Sequence, residues 1–209
     1  MGNTGWSYDD VLPFFKKMEN YQGNTSELRG EEGPLKVSEV SDRNPIYDAI
    51  FKSGEANNIP FNKDYNGEDQ EGLGYTQTTI YKGERMSAEV AYLRPIKSRK
   101  NLTIITNSLV TKLLFEKKKC IGVEVKNKNK LSTFMTSKEV ILSGGAINSP
   151  QILELSGIGN SSILKKNGIE PIHHLVGVGE NLRDHIAPRI IYRVKKEGIS
   201  YNDKAGGIN

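Results

Sequence analysis

The chain has 209 residues, 36% hydrophobic and 26% charged, with a formal net charge of +4. That length allows one large domain or two small ones, and the composition excludes a wholly disordered chain, a collagen-like chain and a membrane channel. No run approaches the roughly 18 apolar residues that cross a bilayer, so no transmembrane segment is expected.

From the amino end, Ser7 opens a helix, with Asp9 and Asp10 in its first turn. Val11, Leu12, Phe15 and Met18 recur at helical spacing. Pro13 predicts a kink or a late start. Residues 20–34 are polar and glycine-rich and read as a loop. Asn44-Pro45 begins a second helix, as an N-cap followed by proline at the first helical position. Ile46, Ala49, Ile50, Ser53 and Ala56 line one of its faces. Residues 57–79 look irregular. Ser87 caps a short helix over 88–93, which Pro95 stops.

The texture changes near residue 101. Runs at 102–106, 109–115, 120–126 and 131–136 are apolar and β-branched, separated by lysine and asparagine turns, which predicts a β-meander. A short buried strand at 140–142 enters Ser143-Gly144-Gly145-Ala146. Ser149 then reads as an N-cap and Pro150 as the first residue of a helix reaching 155. A further helix spans 161–167, with Gly168 as its stop. A strand at 171–176 leads to GVGENLRDH at 177–185.

The basic clusters are Lys97, Arg99 and Lys100, then Lys117 to Lys119, then Lys126, Lys128 and Lys130. The last two groups fall where hairpin turns belong, and no aromatics alternate with them. They read as solvated turns, and no nucleic-acid partner is expected. Cys120 is the sole cysteine, so neither an internal disulfide nor a cysteine metal cluster is available. A reducing compartment fits, and the amino terminus has no apolar secretory core. A cytoplasmic location is expected.

Chemistry concentrates at 140–159. A strand entering a turn of small residues lets a ligand or another backbone approach closely. The helix that follows offers free N–H groups to an anion. Two readings stay open there: a diphosphate site, or a turn that merely packs. Gly157-Ile158-Gly159 and Gly177-Val178-Gly179 are poor dinucleotide fingerprints, because Ser162 and Leu182 stand where the third glycine belongs. His173 and His174 are neighbours on a strand and point to opposite faces, so they cannot readily share a metal. Asp184-His185 could form a hydrogen-bonded pair, but no nearby nucleophile supports a hydrolase.

The string SGGAINSPQILELSGIG (143–159) resembles the second signature of the glucose–methanol–choline (GMC) flavoprotein oxidoreductases. GWSYDDVLPFFKKMENY (5–21), GPLKVS (33–38), NGEDQEGLGYTQTTIYKGERMSAEVAYLRP (66–95), NLTIITNSLVTKLLFEKKKCIGVEV (101–125) and VGVGENLRDH (176–185) are similar to further segments of that family, in the family's order.

The resemblance implies a mixed α/β fragment from the centre of a two-domain flavoprotein. Residues 1–100 would be substrate-domain and connecting elements. Residues 101–185 would be part of the FAD-binding domain, and 186–209 the start of the substrate-domain sheet. It implies FAD as cofactor and oxidation of a small alcohol to an aldehyde by hydride transfer to flavin N5, with the electron acceptor left open. By position, Val110 matches the residue whose backbone meets adenine. Ser143, Gly144, Gly145 and Ala146 match the turn beside the ADP half, and Ser149 and Pro150 match the helix start. Asp184 and His185 match a common family string without an assigned role. Glu154 stands where the family often has an apolar residue and is expected to face solvent and to leave the flavin contact unaffected.

The family's G-x-G-x-x-G unit, which binds the FAD pyrophosphate, is expected upstream of residue 1 and its catalytic histidine beyond Asn209, so no catalytic residue is assigned within the chain. Ile186-Ala187-Pro188-Arg189 lacks the glutamate that some choline-oxidising members carry after the Asp-His pair. That favours a neutral primary alcohol, aryl alcohol or polyol over choline. The rival reading is a non-catalytic binding or scaffold protein that keeps part of the fold.

Overall fold

The computed structural model describes residues 2–24, 26–41, 43–195 and 197–200. They form mixed α and β structure in two units, Met1–Leu102 with Ile191–Asn209, and Thr103–Ile190. The part of the expected carboxyl-terminal sheet at 201–209 lies outside the described residues.

In the first unit, α1 (Tyr8–Met18) starts with a capping box. Ser7 Oγ accepts the Asp10 N–H at 3.3 Å, and the Asp10 carboxylate accepts the Ser7 N–H at 3.0 Å. The helix runs through Pro13 with no late start. The carbonyl that loses its donor is that of exposed Asp9, where water can replace it. Next, β1 (Glu19–Tyr21) pairs in parallel with β2 (Leu35–Glu39), which pairs antiparallel with β3 (Gln77–Thr78).

Between these strands, α2 (Pro45–Ala56) is capped by Asn44, whose side chain accepts the Ile46 N–H at 3.0 Å. Phe51 on α2 meets Phe61 and Tyr75 edge-on, with ring centroids 4.9 and 4.8 Å apart. The hairpin of β4 (Ile80–Tyr81) and β5 (Glu84–Arg85) turns at Lys82 and Gly83. Both have positive φ, the backbone that suits a two-residue turn.

The helix expected over 88–93 is instead a π-helical turn, Glu89–Leu93, followed by a 3-10 turn, Arg94–Ile96. The Arg94 N–H reaches back to the Glu89 carbonyl. Pro95 has no N–H for an α-helical bond, so the chain tightens through it rather than stopping before it.

The second unit opens on the meander: β6 (Leu109–Glu116), β7 (Lys119–Asn127) and β8 (Lys130–Met135), all antiparallel. Thr111 is the extra residue of a bulge between Val110 and Lys112, and its hydroxyl lies 2.7 Å from Glu124 Oε1. After it come α3 (Gly145–Leu155), β9 (Ile158–Gly159), α4 (Ser161–Lys166) and β10 (His173–His174), the last parallel to β9. Leu113, Val125 and Leu164 are the buried hydrophobic residues of this unit.

Three expected strands change. Residues 102–106 and 140–142 form no ladder among the described residues, and 171–176 shrinks to the two residues of β10. A strand needs a partner as well as a pattern. Ile141 is 79% exposed where a buried strand was expected.

Candidate functional site

The site is built on the start of α3. Gly145 has φ +85°, a left-handed conformation that favours glycine, and nothing lies within 4 Å of where a Cβ would sit. The chain therefore swings into the helix at Gly144, earlier than the Ser149-Pro150 start expected from sequence.

Ser149 is not an N-cap. It lies one turn inside, where its Oγ accepts the Gly144 N–H at 2.9 Å. Pro150 lies in the same turn and cannot supply the N–H that the Ala146 carbonyl would take. No side chain caps α3. Its first-turn N–H groups, from Gly145 onward, are thus available to an outside acceptor at the positive end of the helix.

A cavity of about 660 Å³ lies between α3 and the 177–183 segment. Ala146, Ser149, Pro150 and Glu154 line it from the helix, and Gly179 and Arg183 from the segment. Glu154 departs from the sequence expectation of a solvent-facing side chain. It is half-buried against Gly179, whose φ is +80°. The positive φ at Gly179 favours glycine, and a Cβ there would stand 2.9 Å from Glu154 Oε1, so a side chain at 179 would strain the loop and push the carboxylate aside.

The other sequence-derived residues are dispersed. Val110 is half-buried on β6 opposite Val125 and does not line the cavity. Ser143, Gly144 and Gly145 are exposed at the helix entry. Asp184 and His185 follow the last lining residue, with the His185 N–H donated to Asp184 Oδ1 at 2.8 Å, and both are exposed. His174 Nδ1 accepts the Ser161 N–H at 3.2 Å, which supports the start of α4. No cluster able to hold a metal occurs among the described residues.

Two residues of this region were misread from the sequence. Glu154 was one, expected to face solvent because its neighbour Gly179 is distant along the chain. Ser156 was the other: its buried hydroxyl accepts the Leu113 N–H at 2.7 Å and donates to the Ile152 carbonyl at 2.5 Å, fastening α3 to β6. A serine at the end of the helix in an S-G-I-G string was the available signal.

The protein is similar to human mitochondrial choline dehydrogenase, 45% identical over 185 residues, 88% of this chain and 31% of that protein. Oxygen-dependent choline dehydrogenase of Staphylococcus aureus is 43% identical over 197 residues, 93% of this chain and 34% of that protein. Among solved structures, an FAD-dependent oxidoreductase from Chaetomium thermophilum superposes with a TM-score of 0.81 at 31% identity, covering 88% of this chain and 34% of the other. Pyridoxine 4-oxidase from Mesorbium loti gives 0.74 at 29% identity, covering 83% and 34%. The chain spans about a third of the length of these relatives. The family model described as GMC oxidoreductase matches residues 1–187, and the chain belongs to that family.

Proposed function

We propose that this chain is part of an FAD-dependent oxidoreductase that oxidises the CH–OH group of a small alcohol to an aldehyde. The observation that carries the reading is the uncapped start of α3, where Gly145 leaves open space beside free N–H groups and the helix borders a cavity of about 660 Å³. That cradle fits an anionic, elongated group such as the ADP half of FAD. The family and the FAD-dependent relative of known structure support the same cofactor.

In this reading Gly145 and Ala146 lie beside the ADP half of FAD, with Ser143 and Gly144 shaping the approach. Ser149 keeps the Gly144 amide in place, and Pro150 stiffens the turn behind it. The Val110 backbone meets the adenine. Bound FAD would accept the substrate hydride at N5, which is the redox chemistry that the chain's own side chains do not supply. No residue of this chain is proposed as the general base, and Asp184 and His185 are given no chemical role.

We further assign 1–100 to substrate-domain and connecting elements, 101–185 to part of the FAD-binding domain and 186–209 to the start of the substrate-domain sheet. The division of the structure after Leu102 and before Ile191 supports this. The substrate is a small alcohol. The names of the two sequence relatives favour choline, while Ile186-Ala187-Pro188-Arg189 offers no carboxylate to its cation and favours a neutral alcohol. The single thiol, Cys120, supports a cytoplasmic location. No helix among the described residues is long and apolar enough to cross a membrane.

The test uses the full-length protein that carries this sequence. It is expected to be yellow, and its flavin absorbance to bleach without oxygen on adding choline or benzyl alcohol, the faster of the two deciding the substrate class. Gly145→Val should remove the flavin. A folded, colourless wild-type protein would reject the enzyme reading and leave the scaffold alternative.

A further inference from the structure

We propose that Asn66 is a self-modification site: its side-chain amide turns into a carboxylate without an enzyme, and the new charge unloads the Arg29 network of the first unit. Asn66 is exposed and Gly67 follows it. With no Cβ, glycine leaves its amide nitrogen less hindered than any other residue does. The turn keeps that glycine, because a Cβ at 67 would stand 3.0 Å from the Asp64 carbonyl oxygen. Asp64 builds the turn: its Oδ1 accepts the Asn66 N–H at 3.1 Å and its carbonyl accepts the Gly67 N–H at 2.9 Å. The Asn66 side chain is held by one bond, Nδ2 donating to Gln77 Oε1 at 3.0 Å.

The reaction needs only water. When the surface turn opens, the Gly67 N–H leaves the Asp64 carbonyl and gives its proton to solvent base. The Gly67 nitrogen then attacks Cγ of Asn66. A nitrogen–Cγ bond forms, the Cγ–Nδ2 bond breaks, and Nδ2 takes up a proton and leaves as ammonia. Water opens the resulting cyclic imide at either carbonyl, giving aspartate or isoaspartate. The sum is amide plus water to carboxylate plus ammonium, and nothing is oxidised or reduced.

The network registers the product. Gln77 Oε1 accepts from Asn66 at 3.0 Å and from Arg29 Nη1 at 3.1 Å, while Gln77 Nε2 donates to Asp64 Oδ1 at 2.8 Å and to the Tyr21 hydroxyl at 3.2 Å. The last two bonds fix the Gln77 amide, so its oxygen cannot turn away from residue 66. An ionised carboxylate at 66 has no hydrogen to donate to that oxygen. Arg29 already pairs with Glu19 and Asp64, and a third carboxylate outnumbers it further. Isoaspartate also lengthens the main chain and draws the Gly67 N–H off the Asp64 carbonyl.

Asn167-Gly168 is the chain's other Asn-Gly pair. There the N–H groups of Asn167, Gly168 and Ile169 all bind carbonyls of α4, and the Asn167 side chain donates to the Ile163 carbonyl at 2.9 Å. Leu164, 1% exposed, anchors that helix. Attack at Gly168 requires unwinding the end of α4, whereas attack at Gly67 requires opening one surface turn.

The experiment ages the full-length protein at mildly alkaline pH and digests samples with trypsin. Cuts after Lys63 and Lys82, and after Lys166 and Arg183, put each Asn-Gly pair in its own peptide. Mass spectrometry follows amide loss, and methyl transfer by an isoaspartate methyltransferase follows isoaspartate. The 64–82 peptide should convert about tenfold faster than the 167–183 peptide, or more. In urea titrations at pH 7, Asn66→Ala removes the donor and should raise the unfolding constant about fivefold. Asn66→Asp, which carries the product, should raise it further. No conversion of 64–82, or conversion no faster than that of 167–183, overturns the site. Asn66→Asp as stable as Asn66→Ala overturns the link to Arg29. Should Asn66→Asp fail to fold, aged wild-type protein compared with fresh protein decides the same point.

Discussion

Ser156 shows how one signature residue acts through packing rather than through chemistry. Its hydroxyl is buried and both its hydrogen bonds stay within the unit, one from the amide of Leu113 and one to the carbonyl of Ile152. Leu113 is itself among the few buried hydrophobic residues, so its amide cannot turn to water if the serine is lost. Ser156→Ala should therefore leave a buried N–H unpaired and destabilise the protein by about 2 kcal/mol. The loss would appear as a lowered Tm, together with faster hydrogen exchange at the Leu113 amide than at amides in the middle of β7. Unchanged exchange at Leu113 would show that the bond carries no stability. Glu154 and Ser156 lie two residues apart on the same helix end, yet one faces a cavity and the other a strand. Alternation of that kind separates a cavity-facing position from a structural one within a single motif.

At the scale of elements, Arg29 does for the first unit what Ser156 does for the second. Its guanidinium is buried and donates to Glu19 on β1 at 2.5 and 2.9 Å, to Asp64 at 2.6 Å and to Gln77 on β3 at 3.1 Å, with its carbon 3.7 Å above the ring centre of Tyr21. Burial pushes the Asp64 carboxyl up, but hydrogen bonds from Gln77, Arg29 and the Asn66 N–H, with the charge of Arg29, outweigh it and hold the group below its ordinary 3.8. Because the folded pKa is depressed, this stabilisation is complete above pH 3.8 and is lost as the pH falls through the lower folded value. Arg29→Met leaves two carboxylates without their cation, and at pH 7 it should destabilise the unit by about 3 kcal/mol. Protonation relieves the uncompensated pair in the variant, so the gap to wild type should narrow as the pH drops from 7 to 4 in urea titrations. A gap that stays constant with pH would assign the loss to packing instead.

Neither network was visible in the sequence, since each joins residues far apart along the chain. The meander, α2 and α4 were legible, because their signals are local: apolar alternation, an Asn-Pro start and a Gly168 stop. The start of α3 was misjudged because a left-handed Gly145 outranks the Ser149-Pro150 signal. The strand at 140–142 was misjudged because pairing is not a property of one segment. Of the candidate site, the turn of small residues could be read in advance. The carboxylate of Glu154 on the same cavity wall could not.

For the molecule as a whole, the decisive quantity is how little apolar side chain is buried. Tyr21 and Ala91 in the first unit, with Leu113, Val125 and Leu164 in the second, are the buried hydrophobic residues among those described. Full burial of such a side chain contributes about 1.5–3 kcal/mol, whereas ordering each residue's backbone opposes folding by about 1–2 kcal/mol. Meanwhile Ile186 and Ile191 are 95% and 90% exposed, and every residue of β8 is exposed, including Leu131, Phe134 and Met135. β8 is also an edge strand of the meander, so it combines apolar side chains with unpaired backbone groups. These are the features through which chains associate. The 209-residue chain expressed by itself should therefore bind a hydrophobic dye such as ANS, melt broadly and aggregate. Hydrogen-exchange protection should concentrate in β6 and β7, where pairing is longest and where Leu113 and Val125 lie. A monomer with a sharp, reversible melt and no dye binding would show that the half-buried residues suffice for a stable fold, and the exposed faces would then need no cover.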